Sequence, residues 1–213
     1  HELQPRVTVY KLVENKRVKY INEEKMQAFN AIAFANLALG RFTIKAKVVA
    51  GQNLTHQIML GGYGRIYDDM LPGTDSLVTD PLRLGRDTTF VTNPNFHYTG
   101  LITYANWLDV NYKASENISI GLFTGISGNL GATEKITKTK NPYFYERNAD
   151  IAYMIRLAPR VSYTIKKLRF AIEYFHDRAS YATAFDEYYK PKTNDLKTGV
   201  NHRFLFSAQY SFN

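Results

Sequence analysis

The residues that could do chemistry are few and badly spaced for it. Histidines stand at His56, His97, His176 and His202, with His1 at the start of the chain. None has the i, i+4 or short-loop spacing that brings imidazoles together on one ion, so no metal is expected. Asp68, Asp69 and Asp75, in DDMLPGTD, form an oxygen-rich run without the ligand alternation of a calcium loop. Gly125–Ile126–Ser127–Gly128 misses the G-x-S-x-G spacing that exposes a nucleophilic serine. GNLG, from Gly128 to Gly131, has no following Lys-Ser/Thr and opens no helix, so it is not a phosphate loop. Tyr181, Tyr188 and Tyr189 lie near lysines and could stack on a glycan or a nucleotide base; a solvated loop is the plainer account. No catalytic residue, no cofactor and no enzyme activity are expected.

What is ordered is a set of charges at alternate positions. Lys45, Lys47, Asp109, Arg156, Arg160, Arg169, Glu173 and Arg203 each fall between apolar or aromatic neighbours, and Asp177 continues the series two residues on from Phe175. Period-two alternation marks a β-strand with two unlike faces. In the last stretch, NHRFLFSAQYSFN, Phe204, Phe206, Ala208, Tyr210 and Phe212 oppose Arg203, Leu205, Ser207, Gln209 and Ser211. Residues 42–50, 100–112, 118–126, 151–165 and 168–177 repeat the pattern. Residues 3–10 and 26–38 do so more weakly. Pro159 predicts a bulge or kink. Trp107 falls on the polar side, to line or to fill an interior.

These strands are joined by tight turns near residues 40–41, 115–117 and 165–167. The alternate connections are long and polar: residues 11–25, 52–97, 129–149 and 180–201. Short turns on one side and long loops on the other are the layout of a membrane-spanning β-barrel, greasy outside and polar inside. A further strand at residues 58–66 would place one tight turn on the wrong side, so residues 52–96 read as one large excursion that could fold into the lumen. The expected fold is a single all-β domain over residues 1–213, an antiparallel transmembrane barrel of about eight strands, or part of a larger one.

Composition fits this reading. Tyr and Phe number 16 and 13 against a single Trp. No apolar run reaches the roughly 18 residues a membrane helix needs, so the chain would cross as strands. With no Cys, disulfides and thiolate metal sites are excluded. The net charge of +8 is scattered rather than clustered, which argues against a nucleic-acid partner. The opening HELQPRVTVY lacks the basic start and apolar core of a signal peptide, so the expectation is a removed signal or a start inside a longer protein.

Four segments carry a resemblance: LQPRVTVY, GRFTIKAKVVAGQNLTHQIMLGGYG, NWLDVNYKASENISIGLFTGISGNLG and APRVSYTIKKLRFAIEYFHDRASYA. In order and texture the chain resembles porin-like outer-membrane proteins of Bacteroidota-type bacteria, of the DcaP-type porin family, over their C-terminal half. The terminal aromatic, Phe212, is similar to that of bacterial outer-membrane strands, although Asn213 follows it. The resemblance implies a passive channel for small solutes in the bacterial outer membrane, commonly trimeric.

Function then rests on the charged set. With the apolar faces toward outer-membrane lipid and lipopolysaccharide, the basic excess inside predicts an anion preference for small hydrophilic solutes. The structural alternative is that these charges pair and fill the interior. Two rival readings follow. One is a non-conducting structural, adhesive or complex-forming barrel. The other is a lipocalin-like soluble binder with an apolar interior, which would put Arg156, Arg160 and Arg169 outside.

Overall fold

The computed structural model describes residues 2–3, 7–13, 16–22, 25–57, 59–67, 96–136 and 144–212. Among these the chain is all-β, with a single 3-10 turn at Leu54–Gln57. No helix among them is long and apolar enough to cross a membrane. The strands are β1 (Glu2–Leu3), β2 (Val7–Val13), β3 (Lys16–Asn22), β4 (Met26–Gln27), β5 (Asn30–Leu39), β6 (Phe42–Gln52) and β7 (Gly61–Tyr67). They continue as β8 (Phe96–Lys113), β9 (Ile118–Ala132), β10 (Phe144–Arg147), β11 (Ile151–Ile165), β12 (Leu168–Ala182) and β13 (Leu196–Tyr210).

Nine of them, β5 to β13, make one antiparallel sheet. Alternation of β-branched and aromatic residues with polar ones drives each strand, because both faces of the pleat are used. Tight turns fix the register. Gly40, at φ 59, closes the β5–β6 hairpin in a conformation most side chains avoid. At the β8–β9 turn the Ser115 hydroxyl accepts from the Ile118 amide at 3.0 Å. β9, β11, β12 and β13 are each 15 residues long. At about 3.3 Å per residue that is roughly 50 Å, more than a bilayer core needs even with tilt.

Several sequence expectations change. Among the described residues the sheet is not closed: β5 pairs only with β6, and β13 only with β12. Residues 3–10 do not join it; β2 pairs with β3 in a separate hairpin, so the stretch 11–25, read as a loop, contains paired strands. A dense run of charges suits a charged hairpin as well as a loop, which is why composition misled.

The excursion at 52–97 contains β7, whose residues 68–95 continuation lies outside the described residues. β7 runs along the same edge of β8 as β6 does. Gln52 faces Ile102 and Gly62 faces Leu101, so the ladder resumes at once and residues 53–57 and 59–61 are extruded from it. β7 is therefore an upward extension of β6 and leaves the tight turns on one side. β10, inside the stretch read as loop 129–149, pairs with β7. Gly62, at φ 143, permits this approach, since a Cβ there would collide with the Tyr145 backbone.

Pro159 causes no bulge. Leu157 faces His176 and Arg160 faces Glu173, so the register is the same on both sides of it. The irregularities fall instead at Ile151/Tyr153 and Ile102/Thr103.

Candidate functional site

Register assigns every side chain of the long strands to one of two faces, because antiparallel partners share a face. One face runs through Leu37, Ile44, Val110, Leu122, Val161, Ile172 and Phe206. Its large apolar groups are exposed: Phe206 at 66 %, Ile172 at 58 %, Ile120 at 48 %. Rings gather along it. Phe42 and Tyr112 lie 4.8 Å apart near the tight turns, and Tyr174 and Phe204 lie 5.0 Å apart higher up. We call this the apolar face.

The opposite face carries all eight of the sequence-predicted site residues, Lys45, Lys47, Asp109, Arg156, Arg160, Arg169, Glu173 and Arg203. They are not a uniform row. Arg160 on β11 reaches across β9 to Asp109 on β8 and donates from both Nη atoms, at 2.8 and 2.7 Å. Its path passes over Gly121, where a Cβ would meet the guanidinium. Arg156 donates to Asp177 through Nε and Nη2, at 2.6 and 3.0 Å. Such bidentate pairs fix both geometry and charge. Lys45 is the cross-strand neighbour of Asp109, Lys47 of Trp107, and Glu173 of Arg160. Arg169 has only a long 3.5 Å contact to Ser162 Oγ.

Sequence reasoning gave no role to three residues that organise this face. Phe175 lies between two guanidinium groups, Arg203 at 4.4 Å and Arg156 at 5.5 Å from its ring centre. Phe123 stands 5.9 Å from Trp107. Gly121 is the gap that lets Arg160 through. An aromatic or a glycine among alternating charges was the available signal. Trp107, Phe123, Met154, Arg156, Asp177 and Tyr181 border a cleft of about 590 Å³ on this side.

Higher up the same face is covered by loops. Thr103 and Leu101 follow Trp107 along β8 and are fully buried. Thr103 donates to the Leu60 carbonyl at 3.0 Å, which holds the extruded segment over the sheet. Asn129 donates to the Ala149 carbonyl at 2.7 Å, and the Ala132 and Ile136 amides donate to Tyr188 and Glu187. Leu101, Ala132, Ile136 and Ala149 form a small core with Tyr189 against it. Beside it Tyr63 stacks on Tyr145 at 5.0 Å, and burial pushes the Tyr63 phenol up to about 12. Burial, then Asp150, raises the Glu146 carboxyl, while a hydrogen bond from Tyr189 opposes this.

No three or more His, Cys, Asp or Glu converge on a metal-sized space among the described residues. His56 has no described side chain, and Asp68, Asp69 and Asp75 lie outside the described residues. No family model, curated protein or solved structure matches the chain.

Proposed function

We propose that this chain forms the wall of a porin-like channel in the bacterial outer membrane, of the DcaP-type family, with the apolar face in lipid and the charged face toward a watery lumen. The observation that carries the reading is the segregation of the two faces. From Phe42 to Ala50 and across to Tyr210, one face carries most of the exposed large apolar side chains, its ionisable groups other than tyrosines being His176, Arg178 and His202, and the predicted charges all occupy the other, together with a few exposed apolar groups such as Phe34 and Leu205. Soluble proteins rarely expose apolar patches beyond a few hundred Å². A span of roughly 9–11 residues per strand is what a bilayer asks for. A soluble binder with an apolar interior would need this face covered.

Open edges do not persist in hydrocarbon, since each unpaired backbone group there costs several kcal/mol. β5 and β13 both run toward the tight turns, so ring closure calls for an odd number of additional strands between them. Two copies of the sheet joined β13 to β5 would meet in parallel, unlike every other pairing in it. The reading is of a barrel completed by strands beyond this sheet, whose lumen passes small hydrophilic solutes by diffusion, with copies free to assemble as trimers or with other outer-membrane proteins.

A second reading, a non-conducting barrel, draws on the loops packed over Thr103 and Leu101 and on the two quenched arginines. One experiment separates them. Native protein extracted in detergent and added to a planar bilayer should give discrete steady currents, with a reversal potential in a salt gradient on the anion-selective side. A membrane-inserted protein that passes no current establishes the second reading. A protein that needs no detergent sinks both.

A further inference from the structure

The apolar face has one exception to its lack of charge, and it is concentrated in one place. Along β5, β6, β9, β11, β12, β13 and residues 102–113 of β8, the only ionisable side chains on this face other than tyrosines are His176, Arg178 and His202. All three are neighbours. His176 and His202 are direct cross-strand partners with ring centres 5.0 Å apart. Arg178 is the next residue up on β12 on the same face, opposite Val200.

Their height matters. Apolar and aromatic residues fill the face from Leu168 and Tyr210 up to Tyr174 and Phe204, and the cluster begins where a span of roughly 9–11 residues ends. Above it stand Ser180 and Thr198, which are polar and uncharged. No carboxylate shares this face on β11, β12 or β13, so these strands supply no counter-ion there. Arg178 is exposed, and among the described residues no hydrogen bond or ion pair holds its side chain.

We propose that His176, Arg178 and His202 form a binding site for the phosphate of a membrane-lipid headgroup, at the rim of the lipid-embedded band on the long-loop side. This rests on the embedding proposed above. Arg178 supplies a charged, forked donor suited to a phosphate. Tyr174 Oη lies 2.6 Å from His202 Nδ1. With the phenol donating, the His202 proton sits on Nε2 and becomes a second donor, so the site binds an anion without a protonated imidazole. Phosphorylated lipid is favoured over free phosphate because the acyl chains lie along the exposed Ile172, Phe204 and Phe206 directly below.

The test places the native, detergent-extracted protein in vesicles of phosphatidylcholine mixed equally with bisphosphorylated and dephosphorylated lipid A. Lipid retained after re-extraction is then counted by mass spectrometry. The site predicts a preference of about tenfold for the phosphorylated form, falling to near one in R178Q and in H176Q/H202Q, with Y174F intermediate. Heat-dependent migration on gels reports that each variant is still folded. Equal retention of the two lipids by inserted wild-type protein overturns the site and leaves the channel reading intact. So does complete displacement by excess inorganic phosphate, which would assign the site to the free anion. Failure to enter any vesicle overturns the embedding and the site together.

Discussion

β8 crosses two environments, and the contrast between its ends explains the molecule's construction. In its lower half Leu108 is 39 % exposed on the apolar face, while on the other face the Asp109 side chain is 20 % exposed beside Arg160. In its upper half Leu101 and Thr103 are sealed under loops at 0 %. The lower half has no core in the ordinary sense; its hydrophobic groups point away from the protein and its order comes from backbone pairing and from ion pairs. The upper half is built like a soluble protein, with a small apolar cluster and satisfied polar groups. One strand can serve both because the pleat exposes alternate residues to independent surroundings. In the proposed embedding, lipid rewards the lower arrangement and water the upper.

That contrast can be broken from either side. The largest effect should come from Leu101→Ala, which opens a cavity in the cap and should cost it about 2–5 kcal/mol. Amide exchange should speed up in residues 129–136 and 183–190, while the lower ladders keep their protection. Uniform loss of protection would erase the two-environment picture. Next is Ile172→Arg, a charge in the middle of the apolar band, expected to cost about 2–4 kcal/mol of insertion. Ala171→Arg, one residue along on the other face, should insert normally. Equal penalties for both would mean that the faces are not distinguished by lipid.

A third change works on the charged face. Asp109→Asn keeps the shape of the pair but leaves the Arg160 charge without its carboxylate. The side chains are about one-fifth exposed, so the expected stability loss is modest, about 1–2 kcal/mol. The sharper readout is the reversal potential, which should move further toward anions. Gly121→Ala should move it in the same direction by a smaller step, because its methyl pushes the guanidinium off Asp109 without removing either charge. An unchanged potential in both variants would place this pair off the conduction path.

How much of this was readable in the residues alone follows from the same contrast. In the lower half period-two alternation runs through most of the long strands, so these strands and the side-chain face of all eight predicted residues could be taken from the sequence, from Lys45 to Arg203. Period two is a local property and needs no knowledge of the partner strand. The upper half follows no period. Its short β7 and β10 are held by a distant pairing, Gly62 with Glu146, and its core uses Leu101, Ala132 and Ile136, spread over two strands and a loop. Non-local contacts of that kind leave no signature in a single window. The same limit hid the partners within the charged face. Arg160 and Asp109 are 51 residues apart, and only the register across β9 brings them together. Likewise, the dense charges Glu14, Lys16, Arg17, Lys19, Glu23, Glu24 and Lys25 made residues 11–25 look like a loop. Ion content is a poor guide where charged residues occur in hairpins as well as in loops.

The smallest expected effect lies in the cap and concerns pH. Glu146 sits on β10, where burial and the nearby Asp150 raise its carboxyl above the ordinary value of 4.5. A raised acid binds its proton more tightly in the folded cap than in the opened one. The cap is therefore favoured below the unfolded value, and that advantage is lost as pH rises through the folded one. Titration from pH 4 to pH 7 should loosen residues 144–147 against β7, seen as faster exchange at the Tyr63 and Tyr145 amides after correction for intrinsic rates. Glu146→Gln keeps an acceptor for Tyr189 and should flatten the profile, with protection at pH 7 close to that of the wild type at pH 4. The lower ladders should not respond in either protein. A profile in which they loosen together with the cap would show that the upper end is not an independent unit, and that the join along β8 transmits its state to the band below.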